Sequence, residues 1–125
     1  MARILLVDDE PLVIQTLSDA LTTKAHEVVT AANGVEGMAK FKIGEFDLVI
    51  TDIIMPDKEG IEFIMELRRL SPSVKIIAIS GGGRTGNVEF LKMATKLGAV
   101  AALKKPIRLA EFYSVLSRCL AESPT

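Results

Sequence analysis

The chain has 125 residues, 49% of them hydrophobic and 25% charged, which fits one domain with a packed core and argues against general disorder. Fifteen Lys and Arg against sixteen Asp and Glu leave a net charge of −1, which disfavours a strongly basic nucleic-acid binder, and a single cysteine excludes a disulfide framework or a cysteine-built zinc site. No apolar run approaches the roughly 18 residues that cross a bilayer, and Met1-Ala2-Arg3 leads into a strand-like run without a signal-peptide pattern, so the expectation is a soluble cytoplasmic domain with no membrane contact.

Ile4-Leu5-Leu6-Val7 is an unbroken apolar run that stops at Asp8. A run this short is strand-sized, and continuous hydrophobicity implies burial on both faces. From Pro11 to Lys24 the period becomes helical, with Val13, Leu17 and Ala20 in one row and Ile14 and Leu21 beside it. Pro11 suits a first helical turn, where its missing N–H costs nothing. Glu27 to Ala31 is a second, weaker strand, broken by Asn33-Gly34. Val35 to Ile43 predicts a helix ended by Gly44, and Phe46 to Thr51 a third strand that stops at Asp52. Glu59 to Leu70 predicts a helix with Ile61, Ile64, Met65 and Leu67 as its apolar stripe, ended by Ser71-Pro72. Val74 to Ile79 is a fourth strand, stopping at Ser80 before Gly81-Gly82-Gly83. Asn87 to Leu97 predicts a helix capped by Gly98, and Ala99 to Leu103 a small-residue strand before Lys104-Lys105-Pro106. Leu109 to Leu120 predicts the last helix, with Leu109, Phe112, Tyr113, Leu116 and Leu120 on its apolar face. Strands alternating with helices imply an α/β domain, a doubly wound five-stranded parallel sheet with five helices on both faces. The domain covers residues 1–121, and 122–125 read as a tail.

Ligands of open α/β sheets sit at the carboxyl ends of the strands. Asp8, Asp9 and Glu10 follow the first strand, Asp52 the third, Ser80 the fourth, and Lys104 and Lys105 the fifth. If those strands are neighbours, the groups converge. Two carboxylates about 5 Å apart at an effective dielectric near 20 repel by roughly 3 kcal/mol, so either a carboxyl stays protonated or cations offset the charge. A divalent ion with oxygen ligands fits, because Mg²⁺ takes one or two carboxylates plus waters and a phosphate oxygen. A lysine adds a second positive point, and the Ser80 hydroxyl a hydrogen-bond donor. The constellation reads as a place where a carboxylate receives a phosphoryl group. Other residues carry plainer readings. His26 reads as a surface turn residue without a partner, Arg68-Arg69 as a solvated helix face, and Cys119 as a packed or partly exposed thiol.

Four motifs, in order and each at a strand end, are similar to the receiver domain of two-component response regulators, in particular to single-domain chemotaxis-type receivers. They are Ile4 to Pro11 (ILLVDDEP), Asp47 to Pro56 (DLVITDIIMP) with Gly60, Ile79-Ser80-Gly81, and Leu103-Lys104-Lys105-Pro106. The resemblance spans essentially the whole chain and implies a flavodoxin-like (CheY-like) sheet of order 2-1-3-4-5. It implies that Asp52 is the phosphoacceptor nucleophile, that Asp9 binds Mg²⁺ (with Mn²⁺ as a substitute) directly, and that Asp8, Asp52 and the Ile54 backbone carbonyl complete the site. Lys105, before a Pro106 whose bond is typically cis in such domains, would pair with the phosphoryl oxygens, leaving Lys104 solvated. Ser80 would carry the switch toward the loop at Gly81 and Gly82. The implied partners are a sensor histidine kinase or histidine phosphotransfer protein as donor, and a downstream protein target or separate output domain. The implied activity is a signalling switch rather than a turnover enzyme.

The sequence departs from the pattern at Ala102, where many receivers carry an aromatic switch residue, at the triple glycine after Ser80, and at Ile107 after Pro106. Rival readings are weaker. A haloacid-dehalogenase-like phosphatase needs a second Asp two residues after the nucleophile, where Ile54 stands. A dinucleotide-binding turn needs Gly-x-Gly-x-x-Gly where Asp8-Asp9-Glu10 stand. The alternative that Ala102 keeps open is a phosphorylation-independent, receiver-like interaction module, which Mg²⁺ binding would separate from the main reading.

Overall fold

The structure, a computed structural model, describes residues 2–53, 60–80, 92 and 94–121. In chain order the elements are β1 (Arg3–Val7), α1 (Pro11–Thr23), β2 (Glu27–Ala31), α2 (Gly34–Ile43), β3 (Leu48–Asp52), α3 (Gly60–Leu70), β4 (Lys75–Ser80), β5 (Ala101–Lys104) and α4 (Leu109–Ala121). Residues 92 and 94–96 are also helical, and belong to the fifth helix that the sequence predicts. The sheet has five strands in the order β2-β1-β3-β4-β5, with every neighbouring pair parallel. The flavodoxin-like arrangement is therefore present.

Strand position follows from hydrophobicity. β3 is buried at all five positions and lies at the centre, while β5 is short and partly exposed at the edge. Side chains alternate across a strand, so each strand feeds two cores. On one face Ile4, Leu6, Leu48, Ile50 and Ile77 pack under α1 and α4, with Leu17, Leu21, Phe112 and Leu116. On the other, Leu5, Val7, Val49 and Ile76 meet Met38 of α2, Phe63, Ile64 and Leu67 of α3, and Ala94.

The helix ends explain themselves locally. Asn33 caps α2 by accepting from the Glu36 N–H at 2.8 Å, and the Glu36 carboxylate accepts in return from the Ala32 N–H. After α1, Ala25 N–H donates to Thr22 O and His26 N–H to Leu21 O, which closes the helix through a left-handed residue. That residue is Ala25, at φ 66°, where glycine would be unstrained.

Several expectations shift. The third, fourth and fifth strands begin one or two residues later than the apolar runs suggest, because ladder pairing and not hydrophobicity bounds a strand. In α3 the buried row is Phe63, Ile64 and Leu67, whereas Met65 is exposed. In α4 Leu109 is exposed, and Val115 and Cys119 are buried beside Phe112 and Leu116. His26 does have a partner: its Nδ1 accepts from the Ala2 N–H at 3.1 Å, and burial lowers its pKa from the ordinary value. Arg68 is not merely solvated. Its guanidinium donates to the carbonyls of Ser71, Pro72 and Gly98, joining the end of α3 to the turn before β5. The predicted helix starts at Glu59 and Asn87, the Gly81 and Gly82 loop, the Ile54 carbonyl and the tail at 122–125 lie outside the described residues.

Candidate functional site

The ladder register determines what meets at the carboxyl edge of the sheet. Val7 pairs with Thr51, Asp52 with Ile79, and Ser80 with Lys104. The residues just past those pairs therefore stand side by side: Asp8 next to Asp52, and Lys105 opposite both. Backbone bonds pin the strand exits, from Asp8 N to Ala31 O (3.1 Å), Ile53 N to Ile79 O (2.9 Å) and Lys105 N to Ser80 O (2.8 Å). The Lys105–Pro106 peptide bond is cis.

Four polar residues are buried here: Asp8, Thr51, Asp52 and Ser80. The Lys105 ammonium lies 3.0 Å from Asp8 Oδ2 and 3.1 Å from Asp52 Oδ2, and also contacts Glu10 Oε1. Asp8 Oδ1 accepts from the Glu10 N–H at 2.8 Å. Asp8 Oδ2 is buried and makes no hydrogen bond of acceptable geometry, although it faces the lysine as an ion pair. Burial raises the Asp8 carboxyl to about 6, against the opposing pull of the Glu10 N–H and Lys105, with the Asp52 charge adding to the rise. Burial would lower Lys105, but Glu10, Asp8 and Asp52 together hold it above its ordinary value.

Asp9 and Glu10 are exposed at the mouth of the site. One ligand oxygen each from Asp8, Asp9, Glu10 and Asp52 lie within 4.8 Å of one another. Oxygen ligands sit about 2.1 Å from Mg²⁺, so donors this close need only small side-chain adjustments to share an ion. Asp8 Oδ2, buried and without a hydrogen bond beyond its ion pair to Lys105, is the kind of acceptor that a cation satisfies. The residues present fit a divalent cation.

Of the residues singled out in the sequence, Asp8, Asp9, Asp52 and Lys105 meet in one cluster, with Ser80 at the end of the neighbouring strand. Lys104 is exposed. Ala102 of β5 pairs with Ala78 of β4 and is exposed. Two contributors were visible in the sequence but had no specific task assigned there. Glu10 reaches Lys105, and its signal was a glutamate at a helix start, where it is a poor capping residue. Gly60 lets α3 begin against the end of β3: an added Cβ would lie 2.2 Å from Ile53 Cα and 2.3 Å from Asp52 O. Its spacing after Asp52 was visible, but the close approach was not.

A sheet-end cluster of buried carboxylates facing a lysine, on a five-stranded parallel sheet of this order, defines a class that comparison with known proteins identifies. The response regulator receiver domain matches residues 4–117, and the chain belongs to that family. It is 34% identical over 117 residues to the chemotaxis protein CheY of Thermotoga maritima, covering 93% of this chain and 95% of that protein. It is 30% identical over 122 residues to the transcriptional regulatory protein GlrR of Escherichia coli, covering 98% of this chain but 27% of that one. The chain thus spans between about a quarter and a third of the length of the transcriptional regulators GlrR, QseF, NtrC and YesN that it matches. Among solved structures, a CheY-like response regulator receiver domain protein from Methanospirillum hungatei superposes with a TM-score of 0.87 at 31% identity, over 98% of this chain and 95% of that one. Receiver domains are signalling switches of two-component systems that bind Mg²⁺ at an acidic pocket and interact with histidine kinases and downstream targets. Among the described residues no helix is long and apolar enough to cross a membrane.

Proposed function

We propose that this chain is a phospho-accepting switch whose nucleophile is Asp52. The observation that carries the reading is the convergence of the Lys105 ammonium on two buried carboxylates, Asp8 and Asp52. An Asp52 carboxylate oxygen attacks phosphorus, the P–N bond of a phosphohistidine donor breaks, and the electron pair leaves on the imidazole. The donor is a sensor histidine kinase or a histidine phosphotransfer protein. The transition state is loose, so catalysis is positioning plus charge neutralisation.

Asp8, Asp9 and Asp52 would hold Mg²⁺, with the Ile54 carbonyl as a further ligand by family resemblance. The ion would neutralise phosphoryl oxygens. Lys105 supplies the protein's own positive charge: its ammonium, already beside Asp52, pairs with the oxygens of the arriving group. Ser80 offers its hydroxyl at the end of the adjacent strand. Phosphorylation then shifts an equilibrium between two conformations and changes the surface presented to a downstream protein or output domain. The site of action is the cytoplasm, and the chain itself contacts neither nucleic acid nor membrane.

Intact mass after incubation with acetyl phosphate and Mg²⁺ tests this. The wild type is expected to gain one phosphoryl group, and Asp52→Ala, or the wild type in EDTA, none. No adduct at saturating donor, with no Mg²⁺ binding by calorimetry, would instead make the chain a phosphorylation-independent interaction module.

A further inference from the structure

Glu10 occupies the N-cap of α1 in an extended conformation, yet its side chain makes no cap hydrogen bond. An N-cap side chain ordinarily accepts from an N–H of the first turn, as Asn33 does at α2. The Glu10 carboxylate accepts from the Lys105 ammonium instead. Its backbone is held in place: the Glu10 N–H donates to Asp8 Oδ1 at 2.8 Å, and Glu10 O accepts from Ile14 N at 3.1 Å.

Lys105 therefore faces three carboxylates: its ammonium donates to Glu10 and Asp52 and forms an ion pair with Asp8. The three are not equivalent. The side chains of Asp8 and Asp52 are 0% and 5% exposed, whereas that of Glu10 is 56% exposed. Glu10 alone of these three can swing into solvent and be fully hydrated there. A phosphoryl oxygen that approaches Lys105 must displace one of these carboxylates, and Glu10 is the one that leaves at least cost.

We propose that Glu10 is a displaceable counter-ion of Lys105, a positioning residue that occupies one ammonium donor until an incoming phosphoryl oxygen takes its place. This deepens the phospho-acceptor reading and rests on it. Glu10 competes with the donor's oxygens for Lys105, so it sets the donor concentration that the site requires.

The test compares wild type, Glu10→Gln and Glu10→Asp, each as the full chain, in acetyl phosphate and Mg²⁺, with adduct formation followed by intact mass against donor concentration. In Glu10→Gln the half-saturating donor concentration should fall about threefold, the scale of a partly exposed ion pair, with the maximal rate unchanged. Glu10→Asp keeps the charge but is one methylene shorter, so it should shift the same way. Unchanged or slower kinetics in both variants overturn the proposal. A shift in Glu10→Gln alone also overturns it, because the effect is then one of field and not of contact. Weaker Mg²⁺ binding by Glu10→Gln in calorimetry assigns Glu10 to the metal and overturns it likewise. A second readout does not depend on phosphorylation: the ¹⁵N resonance of the Lys105 ammonium in Mg²⁺-free protein should move in Glu10→Gln. An unmoved resonance sinks the contact. Absence of any adduct on the wild type, together with no Mg²⁺ binding by calorimetry, sinks the phospho-acceptor reading, and the resonance then decides the contact by itself.

Discussion

Among the described residues, Asp8 carries the sharpest electrostatic conflict. Its carboxyl is buried beside Asp52, and its pKa is raised from 3.8 to about 6 by loss of water. The folded state thus binds the proton more tightly than the unfolded chain does. That contribution to stability is complete below pH 4 and is lost as pH rises through 6. The ceiling on the loss is about 3 kcal/mol, since each pKa unit corresponds to roughly 1.4 kcal/mol. Asp8→Asn removes the titration. In EDTA, urea unfolding should show the variant more stable than wild type at pH 7 and equal to it at pH 4. Parallel stability profiles across that window would contradict the assignment. The cost is tolerable because a buried carboxylate is what a cation site requires.

At the level of elements, the approach of α3 to the end of β3 is the tightest fit described. Gly60 N donates to Ile53 O at 3.1 Å, and its missing Cβ leaves room for the backbone of Ile53 and Asp52. Backbone cannot rotate away, so Gly60→Ala forces the helix start or the strand end to move. The expected loss is about 2 kcal/mol by denaturant unfolding, with slower adduct formation because Asp52 shifts with its carbonyl. Gly37→Ala is the internal comparison. Its Cβ would meet the Phe63 and Val7 side chains at 3.1 Å, and side chains can give. A loss at Gly37 as large as at Gly60 would contradict this account. The Arg68 bridge belongs to the same scale. It binds the loop after α3 to the turn at Gly98, so the segment leading into β5 is anchored from α3 as well as from the sheet.

For the whole molecule, the acidic cluster links cation binding to folding. A ligand that binds only the folded state adds about 1.4 kcal/mol at ten times its dissociation constant. Mg²⁺ should therefore raise the thermal midpoint of the wild type, EDTA should reverse the gain, and Asp8→Asn should lose most of it. An equal Mg²⁺ shift in Asp8→Asn would place the cation elsewhere on the surface. Few positions carry this linkage, because the sheet order brings the ends of β1 and β3 together and leaves β2, with Ala32 and Asn33, on the far side.

The alternation of apolar runs with helical periods was enough, in the sequence alone, to establish an α/β chain, its five strands and the residues at each strand end, since burial on both faces writes itself as unbroken hydrophobicity. The acidic pair, Asp52 and Lys105 were legible for the same reason: each interrupts such a run abruptly. Other features depended on tertiary structure. Which face of α3 is buried turned on where the sheet lies, so Phe63 displaced Met65. Arg68 reaches a carbonyl thirty residues away, and Glu10 a lysine ninety-five residues away, contacts that no local period encodes. The distances that make a site of these side chains follow from parallel register, in which each strand fixes the position of the next. Sequence pattern records what a residue is buried from, but only the pairing of strands decides what it is buried against.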